Sequence, residues 1–241
     1  MAWVTPKTNW TGADGVRNTD LNRIEGNILD LHGKFLHNGV VATISPSGND
    51  NTGNGTSSAP FRTFARALSA IPKNLNGQTA TIYAVAGNYP EIVNISDFHG
   101  GEVVVAGAAN TTVTVTGFTV ENCTVLIDGI NLAVGSSGVF VGADGLLFSA
   151  TGNVTVSGAA EAVTLRYGAK LELTRTLTIN GATRALQVQY NASASVATLA
   201  GANNAIGIYA YNSSVFISAL QLTATTRIVN ENSAIYTRGV S

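Results

Sequence analysis

Charge, cysteine, histidine and long apolar runs are all scarce in this chain, and each shortage removes a class of protein. Charged residues make up 11% of its 241 residues, less than half the usual share. A formal net charge of -1 leaves no basic footprint for a phosphate backbone, which argues against a nucleic-acid partner. One cysteine, Cys123, rules out an intrachain disulfide framework and reads as a small half-buried filler. No stretch of about 18 apolar residues occurs, so membrane insertion is not encoded. The opening MAWVTPKTNW lacks a basic segment followed by an apolar core, so no signal peptide is expected. Without export, the Asn-x-Ser/Thr triplets read as turns rather than glycan acceptors.

What the chain does have is a repeat. A turn residue is followed by apolar side chains at the third and fifth positions in GGEVVV from Gly100, NCTVLI from Asn122, GAKLEL from Gly168, NASASV from Asn191, NSSVFI from Asn212 and NSAIYT from Asn232. ADGLLF from Ala143 fills the one gap, with Leu146 and Phe148 at those positions, and the spacings become 22, 21, 25, 23, 21 and 20 residues. A fixed period near 22 is the signature of a solenoid. Between turns, side chains alternate, as in Val163-Thr-Leu165-Arg-Tyr167 and Leu186-Gln-Val188-Gln-Tyr190, which is strand periodicity. The expected fold is therefore all-β, a parallel β-helix. Asn122, Asn191, Asn212 and Asn232 share one turn slot and are expected to stack amide on amide. By parity with Leu165 and Val188, Tyr167 and Tyr190 are expected to stack inside the coil, with Tyr211 in the same slot. Phe216 and Tyr236 each follow an inward residue, Val215 and Ile235, and so share an outward slot on successive coils.

Three segments are expected. Residues 1–38 form an arm with Trp3 and Trp10 followed by a helix of about fourteen residues. Its apolar positions Leu21, Ile24, Ile28, Leu31 and Phe35 make a short a/d seam. Such a helix is marginal alone in water, so the arm and seam are the expected oligomerisation and anchoring residues. Residues 39–76 read as a loop, then a helix opened by Pro60 with Phe61, Phe64, Leu68 and Ile71 on one face, ended by Pro72. That helix is expected to cap the first coil of the solenoid, residues 77–241.

The stretch NDNTGNGTSSAPFRTFARALSAIPKNLNGQTATIYAVAGNYPE resembles the opening of right-handed, pectate-lyase-like parallel β-helices. WVTPKTNWTGADGVRNTDLNRIEGNI is similar to the N-terminal segment of tail and baseplate proteins from phages of Gram-positive bacteria. The resemblance covers residues 3–91. It implies a virion component assembled in the host cytoplasm, a homotrimeric tail fibre or spike that contacts other tail or baseplate proteins and host-surface glycan. A polysaccharide depolymerase and a purely architectural decoration remain the alternatives.

Paired carboxylates are the signature that depolymerase chemistry would need. The acids of the repeats are scattered: in the repeat register the neighbours of Glu172 are Leu147 and Ser195, and Glu121 and Glu231 share a slot at opposite ends of the stack. His32, His37 and His99 stand outside the repeats or at their start. Asp50 is the sole carboxylate of a Gly/Asn loop where a calcium site needs several. No catalytic residue, metal or cofactor is expected, and Phe216 and Tyr236 are the candidate receptor or interface contacts.

Overall fold

The computed structural model describes residues 17–36, 39–149 and 151–238, in two compact units, Met1–Gly39 and Val40–Ser241. In the first unit, α1 (Asn18–Leu36) runs 19 residues, longer than the fourteen expected. Asp20 closes its first turn, its carboxylate accepting from the Arg17 N–H at 3.2 Å where the helix dipole favours negative charge. Leu21, Ile24 and Ile28 are 49%, 45% and 59% exposed. Trp3 and Trp10 lie outside the described residues, as do the side chains of Leu31 and Phe35.

The second unit is a parallel β-solenoid of about seven turns. Thr79, Glu102, Thr124, Leu146, Lys170, Ser193, Ser214 and Ala234 pair in one unbroken column, each opening a coil. One residue on, the inward column reads Ala80, Val103, Val125, Leu147, Leu171, Ala194, Val215 and Ile235, buried up to Val215. A second face stacks Val113, Leu132, Val154, Leu177, Leu199 and Leu220, and a third stacks Val93, Phe118, Val139, Val163, Leu186, Ile208 and Ile228. Like stacks on like, so each coil buries its neighbour's apolar face and the core is a rod rather than a ball.

Three details differ from the sequence reading. The inward pair of the Ala143 coil is Leu147 and Ser149, not Leu146 and Phe148: Asp144 rather than Ala143 occupies the turn slot of Asn122 and Gly168, two residues before the paired column of Thr124, Leu146 and Lys170, so the alternation starts one residue later. The true coil neighbours of Glu172 are therefore Phe148 and Ser195. The solenoid also begins earlier than residue 77. Strand β1 (Val41–Ile44) pairs with Thr81–Ala84 inside the segment read as loop, where its four residues are too short to show a period.

The capping helix α2 spans Phe64–Ser69 and does not start at Pro60. Thr63 takes extended backbone, with φ -122°, and its side chain accepts from the Arg66 N–H, the N-cap role that Ser, Thr, Asp and Asn fill. Phe61 instead bridges Ile44 as an extra strand position. All four expected apolar residues are buried. Glu91 reaches across to accept the Phe64 and Ala65 N–H groups at 2.8 and 3.1 Å, so a carboxylate sits on the positive end of the helix.

Asp50 locks the loop before α2. Its Oδ1 accepts the N–H groups of Arg62 and Thr63 at 2.7 and 3.1 Å and its Oδ2 accepts the Thr63 hydroxyl at 2.9 Å. Desolvation pushes its pKa up, but these hydrogen bonds outweigh it and the net shift is downward. A carboxylate depressed in the fold adds stability that is fully present above its unfolded pKa and fades as pH falls through the folded value. Asp50→Ala is thus expected to melt below the parent by a constant margin from pH 5 to 8, and the margin should narrow below about pH 4. A margin flat down to pH 2 would refute the charged form as the origin of the lock.

Candidate functional site

The turn between the third face and the first is where the structure concentrates exposed aromatic and amide groups. Non-glycine residues with positive φ recur there: Asp97, Asn122, Asp144, Tyr167, Tyr190, Asn191, Asn212 and Asn232. Asn and Asp tolerate this conformation best. Backbone bonds run straight up the turn, Asn122 N–H to Ala143 O at 3.0 Å, Asp144 to Tyr167 at 3.0 Å, Gly168 to Tyr190 at 3.1 Å and Asn191 to Asn212 at 2.7 Å. The expected amide stacking holds at one step, where Asn232 Nδ2 donates to Asn212 Oδ1 at 2.8 Å. Lower down, Asn122 Nδ2 donates instead to Asp97 Oδ1 at 2.9 Å, and that bond, against a smaller desolvation, lowers the Asp97 pKa.

The tyrosines stack, but outside. Tyr167 and Tyr190 are 59% and 43% exposed. Their rings lie 5.2 Å apart and 7° from parallel, and Tyr190 meets Tyr211 edge to face at 5.6 Å. The parity argument from Leu165 and Val188 fails because φ is +58° at Tyr167 and +55° at Tyr190. A left-handed residue ends the two-residue alternation and turns its side chain out of the core. The signal was in the pairs Tyr167-Gly168 and Tyr190-Asn191, where a turn-tolerant residue directly follows the ring.

Past the turn, the outward column of the first face reads Leu126, Phe148, Glu172, Ser195, Phe216, Tyr236. Phe216 and Tyr236 are paired neighbours, 48% and 66% exposed. Ser195 is small between Glu172 and Phe216, and the adjoining column is small too, with Ser193 and Ser214 paired. The result is a depression of about 180 Å³ with a serine floor, Glu172 on one side and the two rings on the other. It shares Ser214 with a depression of about 470 Å³ lined by Asn191, Asn212 and Asn232. It shares both rings with another of about 380 Å³ that ends at Arg238. Sequence reasoning placed the rings but missed Glu172 and the serines, because a hollow made by small residues on three coils has no signature along one strand.

Several other carboxylates are engaged in the scaffold. Glu161 holds Arg184 at 2.8 Å and lies 3.8 Å from Arg166, Asp128 accepts from Thr151 at 2.8 Å, and Glu231 accepts the Tyr209 hydroxyl at 3.3 Å. Among the described residues no group of three or more His, Cys, Asp and Glu is arranged to hold a metal ion. Cys123 is buried rather than half-buried, with Sγ 3.3 Å from the Ile95 carbonyl, and burial, partly offset by backbone hydrogen bonds, raises its thiol pKa. No helix among the described residues is long and apolar enough to cross a membrane.

Comparison with known proteins is silent. No family model, no curated protein and no solved structure matches the chain.

Proposed function

We propose that the protein is a non-enzymatic structural component of a phage or phage-tail-like particle, a tail or baseplate fibre or spike that takes part in adsorption to the host surface. The observation that carries this reading is the continuous band of exposed rings, amides and hydroxyls on the last coils. A rod that presents a contact surface at some coils and is preceded along the chain by a separate helical unit suits a fibre better than an enzyme. The resemblance of residues 3–28 to the N-terminal segment of tail and baseplate proteins supports the particle assignment. Leu21, Ile24 and Ile28, exposed on α1, suit a helix that associates with copies of itself, and a homotrimer is the assembly proposed.

Removal of residues 1–36 tests the anchoring half. The truncated chain is expected to keep its β-type circular dichroism, to fall from trimer to monomer in light scattering, and to be lost from purified particles. Retention in particles at the level of the full chain would overturn the anchoring role. Wild-type adsorption by particles lacking the protein altogether would overturn the adsorption role.

A further inference from the structure

The band on the last coils has a specific chemistry. Its polar groups are predominantly amides and hydroxyls: Asn191, Asn212 and Asn232 at one end, Ser193, Ser195 and Ser214 in the middle. Amides and hydroxyls both donate and accept, so they match ligands whose own groups do the same. Phe216 and Tyr236 border depressions on two sides, so their rings offer apolar surface that a pyranose C–H face covers, with few rotatable bonds to freeze. Charge is confined to single residues of opposite sign, Glu172 in the central depression and Arg238 at the far end. Glu172 makes no ion pair within 4.0 Å among the described residues and is exposed. A free carboxylate accepts two hydroxyls side by side, which is the geometry of a vicinal diol, and it repels a uronate or phosphate.

We infer that the band from Asn191 across Ser195 to Phe216 and Tyr236 is a binding site for a neutral oligosaccharide, with a sugar ring stacked on Phe216 or Tyr236 and a diol on Glu172. The inference rests on the adsorption reading and names its ligand class. The ligand crosses the coils through three linked hollows, so several sugar units are held at once. No bond in the ligand is broken.

The test uses the full-length protein on an array of immobilised neutral hexose and N-acetylhexosamine hexamers beside sialylated and uronate-containing oligomers. Ser195→Trp fills the central hollow from an exposed position, and Phe216→Ala and Tyr236→Ala remove the rings; none of the three touches the buried core. Neutral oligomers are expected to bind the parent, and each variant is expected to lose about tenfold or more in affinity with an unchanged melting temperature. Tyr83→Ala, exposed on an early coil, should bind like the parent. Preference for the acidic oligomers, no binding of the neutral ones, or binding indifferent to all three substitutions would overturn the site. So would a drop in solution mass in the Ser195→Trp protein with glycan binding intact, which would assign the face to a second copy of the chain. Particles carrying the three variants separate the two readings. If they adsorb normally while particles without the protein do not, adsorption stands and the site falls. If particles without the protein adsorb normally, the adsorption reading falls even where oligosaccharide binds in solution.

Discussion

Gly201→Val is expected to lower stability by about 3–5 kcal/mol, the sum of a strained backbone and an overpacked contact. Gly201 has φ +132°, a region that side chains rarely enter, and a Cβ there would fall inside the carbonyl of Ile179 on the preceding coil. The position sits where pairing between the coils of Ser193–Tyr211 and Ser214–Glu231 shifts register, so the coil bends and the backbones close up. For a unit of this size the melting temperature should fall by about 10 °C. A solenoid holds each coil through its neighbours alone, so the coils from Ser193 onward are expected to open first, seen as early hydrogen exchange. Gly181→Asn is the comparison. Its φ of +72° suits Asn, and a Cβ there meets nothing within 4 Å, so it should melt within about 2 °C of the parent. Equal melting of the two variants would mean that the coils are not held as closely as the structure places them.

Phe64→Ala is expected to cost about 3–5 kcal/mol, the usual range for removing a fully buried aromatic. Phe64 is 0% exposed and meets Tyr89 edge to face at 5.3 Å and 68°, while the Tyr89 hydroxyl is held over the Val85 and Ile44 carbonyls at 2.7 and 3.2 Å. The same residue anchors the helix whose N–H groups Glu91 accepts. Its loss creates a cavity and also loosens α2, which covers the first coil, where Ile44, Phe61 and Ile82 are buried. An uncovered solenoid end offers free strand edge and apolar interior to other chains. The variant is therefore expected to bind a hydrophobic dye and to form higher oligomers as well as to melt early. Early melting without dye binding would confine the effect to packing, and a melt equal to the parent would show that α2 does not close the coil.

Much of this fold was legible because a solenoid writes its structure into a period. Val103, Val125, Leu171, Ala194, Val215 and Ile235 were placed on one inward column from spacing alone, since every coil must match the one beneath it. The breaks in legibility all occur where the period is disturbed. Leu147 and Ser149 escape the repeat because their turn slot is filled by Asp144 and not by Ala143, and β1 because a single short strand shows no period.

The sequence by itself determined the coil length, the inward columns, the capping position of Phe64 and Leu68, and the outward pairing of Phe216 with Tyr236, because each depends on periods of two residues or of one coil. Only the tertiary structure decided that Tyr167 and Tyr190 leave the core, that Asp50 and Glu91 hold the start of α2, and that Glu172, Ser195 and Phe216 enclose a hollow. Those features rest on a dihedral angle at single residues, or on contacts between residues twelve or more apart in the chain, and no local pattern records either.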